Sequence, residues 1–197
     1  MNNIITFLRH GKTKVDANVP ISKWVLSEEG EQQAKHISEL PDFQQFDVII
    51  VSGEEKAFQT AAPLAKKLGK EIVRIPELSE LDRDKKGHLS KDAYEEAAKE
   101  ALAHPEKAVP GWEPAAEALA RFRTKVFEID ERYEGKRILI VGHGYTMNLY
   151  FAELMGQMDK VYERLHQNSF ASWGIVENGK VVRDLSPELP PVGEKLV

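Results

Sequence analysis

Arg9, His10 and Gly11 close the apolar run Ile4-Ile5-Thr6-Phe7-Leu8. A short β-branched and aromatic run followed by glycine predicts a buried strand that ends in a turn. At the carboxyl end of a strand in an open α/β sheet, side chains face the crevice where ligands bind. There an arginine grips a phosphate through two parallel hydrogen bonds, and a neighbouring imidazole is able to attack phosphorus. A second run of the same kind, Arg137-Ile138-Leu139-Ile140-Val141, ends in Gly142-His143-Gly144. Glycine on each side of a histidine lets the backbone approach a ligand closely, and the residues that follow read as a helix start. One such element is equally well a strand end with an exposed arginine and a satisfied histidine. Two of them, far apart in the chain, are poorly explained as independent core histidines.

The elements that must position these residues alternate along the chain. Leu26 to Leu40 predicts a helix with Ser27 as N-cap and Pro41 beyond its end. Asp47 to Val51 is a second buried strand, Lys56 to Leu68 a helix closed by Gly69, and Glu71 to Ile75 a short strand before Pro76. Residues 82–91 are charged and read as a loop. Helices are expected near 91–103, 114–133, 146–155 and 158–166. Phe170 to Glu177, Asn178-Gly179 and Lys180 to Arg183 carry the strongest hairpin signal in the chain. The Pro-rich tail from Pro187 reads as a surface extension.

Composition fits one domain over residues 1–197. The chain has 42% hydrophobic and 30% charged residues, the balance of an ordinary globular protein. A net charge of −5 and a pI near 5.8 argue against a nucleic-acid partner, which normally meets a basic face. Without cysteine there is no disulfide, thiol catalysis or thiolate metal site. No apolar run approaches the length that spans a bilayer. The N-terminus enters Ile4–Leu8 with no basic segment ahead of a cleavable stretch, so cytoplasmic residence is expected.

Four segments together resemble the histidine phosphatase superfamily, also called phosphoglycerate mutase-like. They are Leu8-Arg9-His10-Gly11-Lys12-Thr13, Leu26 to Ala34, Ser52 to Ala61, and Val141-Gly142-His143-Gly144, with Leu78-Ser79-Glu80 resembling the segment that holds the family's acid. The resemblance implies an α/β three-layer sandwich, with a mostly parallel central sheet and helices on both faces. It also implies an insertion, around residues 82–115, that covers the crevice. His10 would form a phosphohistidine, Glu80 would protonate the leaving alkoxide, and Arg9, Gly11, Thr13, Lys56, His143 and Gly144 would surround the phosphate.

The chemistry agrees with the residue types. A phosphomonoester carries roughly two negative charges near neutral pH, which repel an anionic nucleophile and spare a neutral imidazole. His10 suits that role if its other nitrogen donates to a backbone carbonyl. His143, if protonated, would add positive charge, and charge-assisted hydrogen bonds of this kind contribute roughly 1.5–3 kcal/mol each. With arginine and histidine supplying the charge, no metal or other cofactor is expected.

Two positions depart from the family pattern. Lys56 stands where the Ser-x-x-x-Arg motif has arginine, which keeps the charge and loses the planar fork. Asp16 stands where an asparagine is common, either facing the phosphate with Lys12, Lys14 or Arg83 as partner, or lying in a loop outside the pocket. Arg83 is an alternative source of the second cation. Ser22, Lys23 and Trp24 are candidates to touch the leaving group, and Trp24 equally reads as a loop anchor. Trp112, in the punctuated stretch Pro105–Pro114, either lines a pocket or packs. His36, His88, His104 and His166 have no partner spacing and no assigned role. Three readings stay open: a phosphatase of small phosphomonoesters, a phosphoglycerate mutase, and a phospholigand-binding module with weak turnover. Neither the substrate nor the oligomeric state is legible.

Overall fold

The computed structural model describes residues 3–86 and 89–186. The tail from Pro187, and Gly87-His88 of the expected loop, lie outside the described residues. Six strands form one sheet: β1 (Ile4–Arg9), β2 (Val48–Ser52), β3 (Ile72–Ile75), β4 (Arg137–Gly142), β5 (Trp173–Glu177) and β6 (Lys180–Ser186). Their order is β3-β2-β4-β1-β5-β6. The first four are mutually parallel, and β5 and β6 add an antiparallel hairpin beside β1. Among the described residues there are six α-helices: α1 (Glu28–Glu39), α2 (Glu55–Leu68), α3 (Lys91–Ala103), α4 (Ala115–Arg132), α5 (Gly144–Met155) and α6 (Val161–Gln167).

The apolar runs are buried on both faces because each face is covered by helices. Leu8, Ile49, Val51, Leu139 and Val141 pack with Ile37 of α1 and with Ala57, Ala61 and Leu64 of α2. The alternate positions Ile5, Phe7, Ile50, Ile138 and Ile140 pack on the other side with Phe122 and Val126 of α4 and Leu149 and Phe151 of α5. Side chains as fully buried as Phe7 and Leu8 contribute about 1.5–3 kcal/mol each. The expected α/β sandwich is the observed fold. No helix among the described residues is long and apolar enough to cross a membrane.

Local signals set the element ends. Ser27 caps α1 through a 3.2 Å bond from the Gly30 amide to its hydroxyl. Asn178 and Gly179 take φ values of 52° and 72°, as a two-residue hairpin loop demands. The hairpin differs from expectation at its start. Ala171 has φ 62°, and the Ser172 amide donates back to the Ser169 carbonyl, so β5 begins only at Trp173. That turn frees Phe170 from the sheet.

The chain leaves β1 toward α1 on one face and leaves β4 toward α5 on the other. Since β1 and β4 are neighbours, their carboxyl ends flank a crevice at a topological switch point. In the register, Arg9 lies opposite Gly142, so His10 and His143 emerge side by side.

Candidate active site

The His10 and His143 rings stand 5.2 Å apart, centroid to centroid. His10 Nδ1 is 2.8 Å from the Gly11 carbonyl, a partner that only accepts, so Nδ1 carries the proton and Nε2 keeps its lone pair. Burial, reinforced by His143, Lys56 and Arg9, holds His10 well below the ordinary histidine range. The imidazole is therefore neutral, as an attack on a dianion requires.

Arg9 is half-buried over the Phe170 ring, with its guanidinium carbon 4.7 Å from the centroid. One terminal nitrogen donates to the Asn168 carbonyl at 2.9 Å, while the buried Nε has no hydrogen-bond partner among the described residues. Asn168 is braced by Asn148, which in turn donates to the Gly144 carbonyl. A Cβ on Gly144 would lie 3.1 Å from the guanidinium carbon, so glycine is what lets the fork lie against the first turn of α5.

His143 does not line the cavity beside His10. It is fully buried, and its Nε2 is 2.7 Å from the Ser52 hydroxyl. Ser52 also accepts from the Glu54 amide, and His143 Nδ1 is buried with no hydrogen-bond partner among the described residues. Burial pushes His143 down to about 3; Lys56, Arg83 and Arg9 add to this and Glu80 opposes it. The positive charge expected of His143 is thus absent from the unliganded site. Glu54 Oε1 lies 3.4 Å from Nε2, but with a neutral ring the contact is not an ion pair.

Lys56 points inward from the first turn of α2 and is only 2% exposed, so it is not on the solvent face of its helix. Its ammonium donates to the Ile21 carbonyl at 2.8 Å and pairs with Glu54 at 2.5 Å. Glu54 also accepts the Glu80 amide at 2.8 Å. This carboxylate was not anticipated, because an acid at a helix start ordinarily reads as a dipole partner on the surface.

Glu80 accepts the Leu81 and Thr146 amides on Oε1 and the Tyr145 amide on Oε2. It thereby closes the amino end of α5, the helix that follows His143. Arg9, His10, Thr13, Lys56, Glu80 and Phe170 line the inner part of a cavity of about 340 Å³. Among the described residues, no three histidine or acidic side chains form a metal-binding cluster.

The family model of the histidine phosphatase superfamily (branch 1) matches residues 5–183. The chain belongs to this superfamily. The Bacillus subtilis (strain 168) protein described as uncharacterized phosphatase PhoE is 26% identical over 158 residues, 77% of each chain. Probable phosphoglycerate mutase GpmB of Enterobacter sp. (strain 638) is 29% identical over 160 residues, 77% of this chain and 74% of its own. Among solved structures, Bacillus stearothermophilus YhfR shares the fold with a TM-score of 0.79 at 20% identity, covering 95% of this chain and 98% of that one.

Several expected contacts of this superfamily member fall elsewhere. The Gly11 amide is used by Thr60 at 3.0 Å, so Gly11 orients His10 and offers no donor to the cavity. Gly144 likewise supplies room for Arg9 rather than a wall. Asp16 is outside the cavity: its carboxylate accepts the Asn18 amide and its carbonyl accepts from Trp24. Lys12, one proposed partner of Asp16, pairs with Glu29 instead. Ser22 also misses the cavity, with its amide directed at Asp84. Trp24 both anchors that loop and lines the cavity, and Trp112, 5% exposed, both packs and lines it. The segment expected to cover the crevice contributes Arg83, Leu89, Lys91, Tyr94 and Trp112 to the wall. Tyr94, Tyr145 and Phe170 had no sequence signal, since aromatic residues in helices and strand ends read first as core.

Proposed function

We propose that this protein is a phosphatase of small phosphomonoesters that works through a phosphohistidine on His10 without a metal. The observation that carries the reading is the 2.8 Å contact of His10 Nδ1 with the Gly11 carbonyl, which leaves Nε2 as nucleophile beside Arg9. Nε2 attacks phosphorus, the ester P–O bond breaks, and the leaving oxygen takes a proton from Glu80. Oε2 is the oxygen that holds this proton, because Oε1 already accepts two amides. Water then attacks the phosphohistidine, returns a proton to Glu80, and releases inorganic phosphate. Arg9 holds the equatorial oxygens. The branch 1 family and the phosphatase relative support hydrolysis.

A mutase reading draws support from the GpmB relative. Release of inorganic phosphate, against the appearance of a positional isomer, separates the two. For the intermediate, rapid quench with labelled substrate should leave acid-labile, base-stable label on His10. Normal turnover by His10→Ala would overturn the proposal.

A further inference from the structure

We infer that Arg121 is a positioning residue for Glu80: from outside the cavity, and paired with Glu113, it fixes the backbone that carries this acid. The inference rests on the phosphatase reading, which makes Glu80 the proton donor to the leaving oxygen.

Glu80 lies where the fold offers no regular structure. A single helical turn, Pro76–Leu78, ends just ahead of it, and residues 79–83 belong to no helix or strand. The peptide groups of such a stretch join no ladder, so side chains from elsewhere must satisfy and hold them. Arg121, near the start of α4, reaches three of their carbonyls. One terminal nitrogen donates to Glu77 at 2.7 Å and to Ser79 at 2.9 Å, and the other donates to Glu80 at 3.3 Å. The remaining N–H groups meet the Glu113 carboxylate, Nε at 3.3 Å and the second terminal nitrogen at 2.9 Å. All five donors of the guanidinium are thereby committed. The next arginine along α4, Arg123, pairs only with the Glu153 side chain at the surface.

The amide of Glu80 is held by a different element, donating to Glu54 at the start of α2 at 2.8 Å. Both backbone polar groups of the acid residue are therefore fastened by charged side chains. The carboxylate in turn covers the Tyr145 and Thr146 amides. Glu113 extends the same clasp: it accepts the Asp82 amide at 3.0 Å, and its own amide donates to the Asp82 carbonyl at 2.8 Å. Asp82 and Glu113 thus close the base of the excursion that brings Leu89, Tyr94 and Trp112 to the cavity wall.

Arg121 is absent from that wall, so it acts through Glu80 and not on the substrate. A general acid works only within hydrogen-bond reach of the oxygen it protonates, and a displacement of about 1 Å can cost on the order of a hundredfold in rate. Lysine at this position keeps the charge but carries its donors on one atom, which does not span the carbonyls and the carboxylate together.

The test compares glycerol 3-phosphate with 4-nitrophenyl phosphate, whose leaving group needs little proton assistance. Arg121→Lys should lower kcat on the alkyl ester at least about tenfold more than on the aryl ester. The variant should add nothing to the alkyl loss when Glu80→Gln is already present. Equal losses on the two esters, or a further alkyl loss in the Glu80→Gln background, would overturn the inference. A second readout needs no turnover: in Arg121→Lys the Tyr145 and Thr146 amides should exchange with deuterium at least about tenfold faster, while those of Leu149 and Phe151 keep their rates. Unchanged exchange at Tyr145 and Thr146 overturns the inference as well. Should Arg121→Lys fail to fold, Glu113→Gln keeps an oxygen for the Asp82 amide, removes the counter-charge of Arg121, and repeats both measurements. Equal losses on the two esters in Glu80→Gln itself sink the acid assignment alone, because the amide exchange still reports on Arg121.

Discussion

Glu54 Oε2 stands 2.5 Å from Lys56 Nζ, and both side chains are nearly inaccessible to solvent. The lysine at the position of the family's second arginine is thus one half of a buried ion pair. Its ammonium also ties the start of α2 to the Ile21 carbonyl. Removing one partner of such a pair leaves a charge in the interior, typically at a cost of about 3–5 kcal/mol.

Glu54→Gln should therefore melt at lower temperature than the unmodified protein. Inorganic phosphate should recover more stability in the variant, because the anion takes over the role of the lost carboxylate beside Lys56. Thermal melts with and without phosphate check this. Equal phosphate-induced shifts in both proteins would show that Lys56 does not meet the anion.

Lys56→Ala removes a cation and strands Glu54 as an unpaired anion near the bound phosphate. We expect kcat/KM to fall by at least tenfold, the scale of about 1.4 kcal/mol. Adding Glu54→Gln to Lys56→Ala should restore part of the loss, since the repulsive charge is gone. Strict additivity of the two effects on activity would argue against their coupling.

If Glu80 protonates the leaving oxygen, Glu80→Gln should slow alkyl phosphates far more than aryl phosphates, whose leaving groups need little proton assistance. The amide also presents an N–H₂ to the amino end of α5, so the variant should lose some stability. Steady-state rates on both ester classes decide the point. Equal losses on both would remove Glu80 from the proton-donor role.

Burial holds both active-site histidines below their ordinary value, His143 at about 3. Below pH 6.5 the unfolded chain binds protons that the folded site refuses, so stability rises with pH. The His143 contribution is complete above about pH 6.5 and is lost as pH falls toward about 3. That imidazole adds a slope of about 1.4 kcal/mol per pH unit inside that window. Denaturant titrations from pH 6.5 down to pH 4.5 should show the slope reduced in His143→Asn. An unchanged slope would mean that His143 charges freely in the folded protein.

The parts of this molecule that were legible in advance are those written in local pattern. The apolar runs before His10 and His143 are strands, Ser27 is a cap, and Asn178-Gly179 is a hairpin turn, because each depends on residues within a few positions. Phe170 was misread as strand for the same reason. Its apolarity fits β5, and only the positive φ at Ala171 removes it from the sheet and places it under Arg9. Gly11 was assigned to the phosphate on the strength of its neighbours, while its amide is taken by Thr60 of α2.

By itself the sequence determined the α/β order of elements and the two strand ends that carry Arg9, His10 and His143, since periodicity and turn chemistry act over short stretches of chain. Tertiary structure alone decided the charge state and partners of the site. His143 is neutral because packing shuts out water, Lys56 is paired because Glu54 turns inward with it, and Arg83 is buried because Tyr94, Trp112 and Tyr145 close around it. These outcomes depend on burial and on groups distant in sequence, and neither quantity exists until the sheet and its covering helices have assembled.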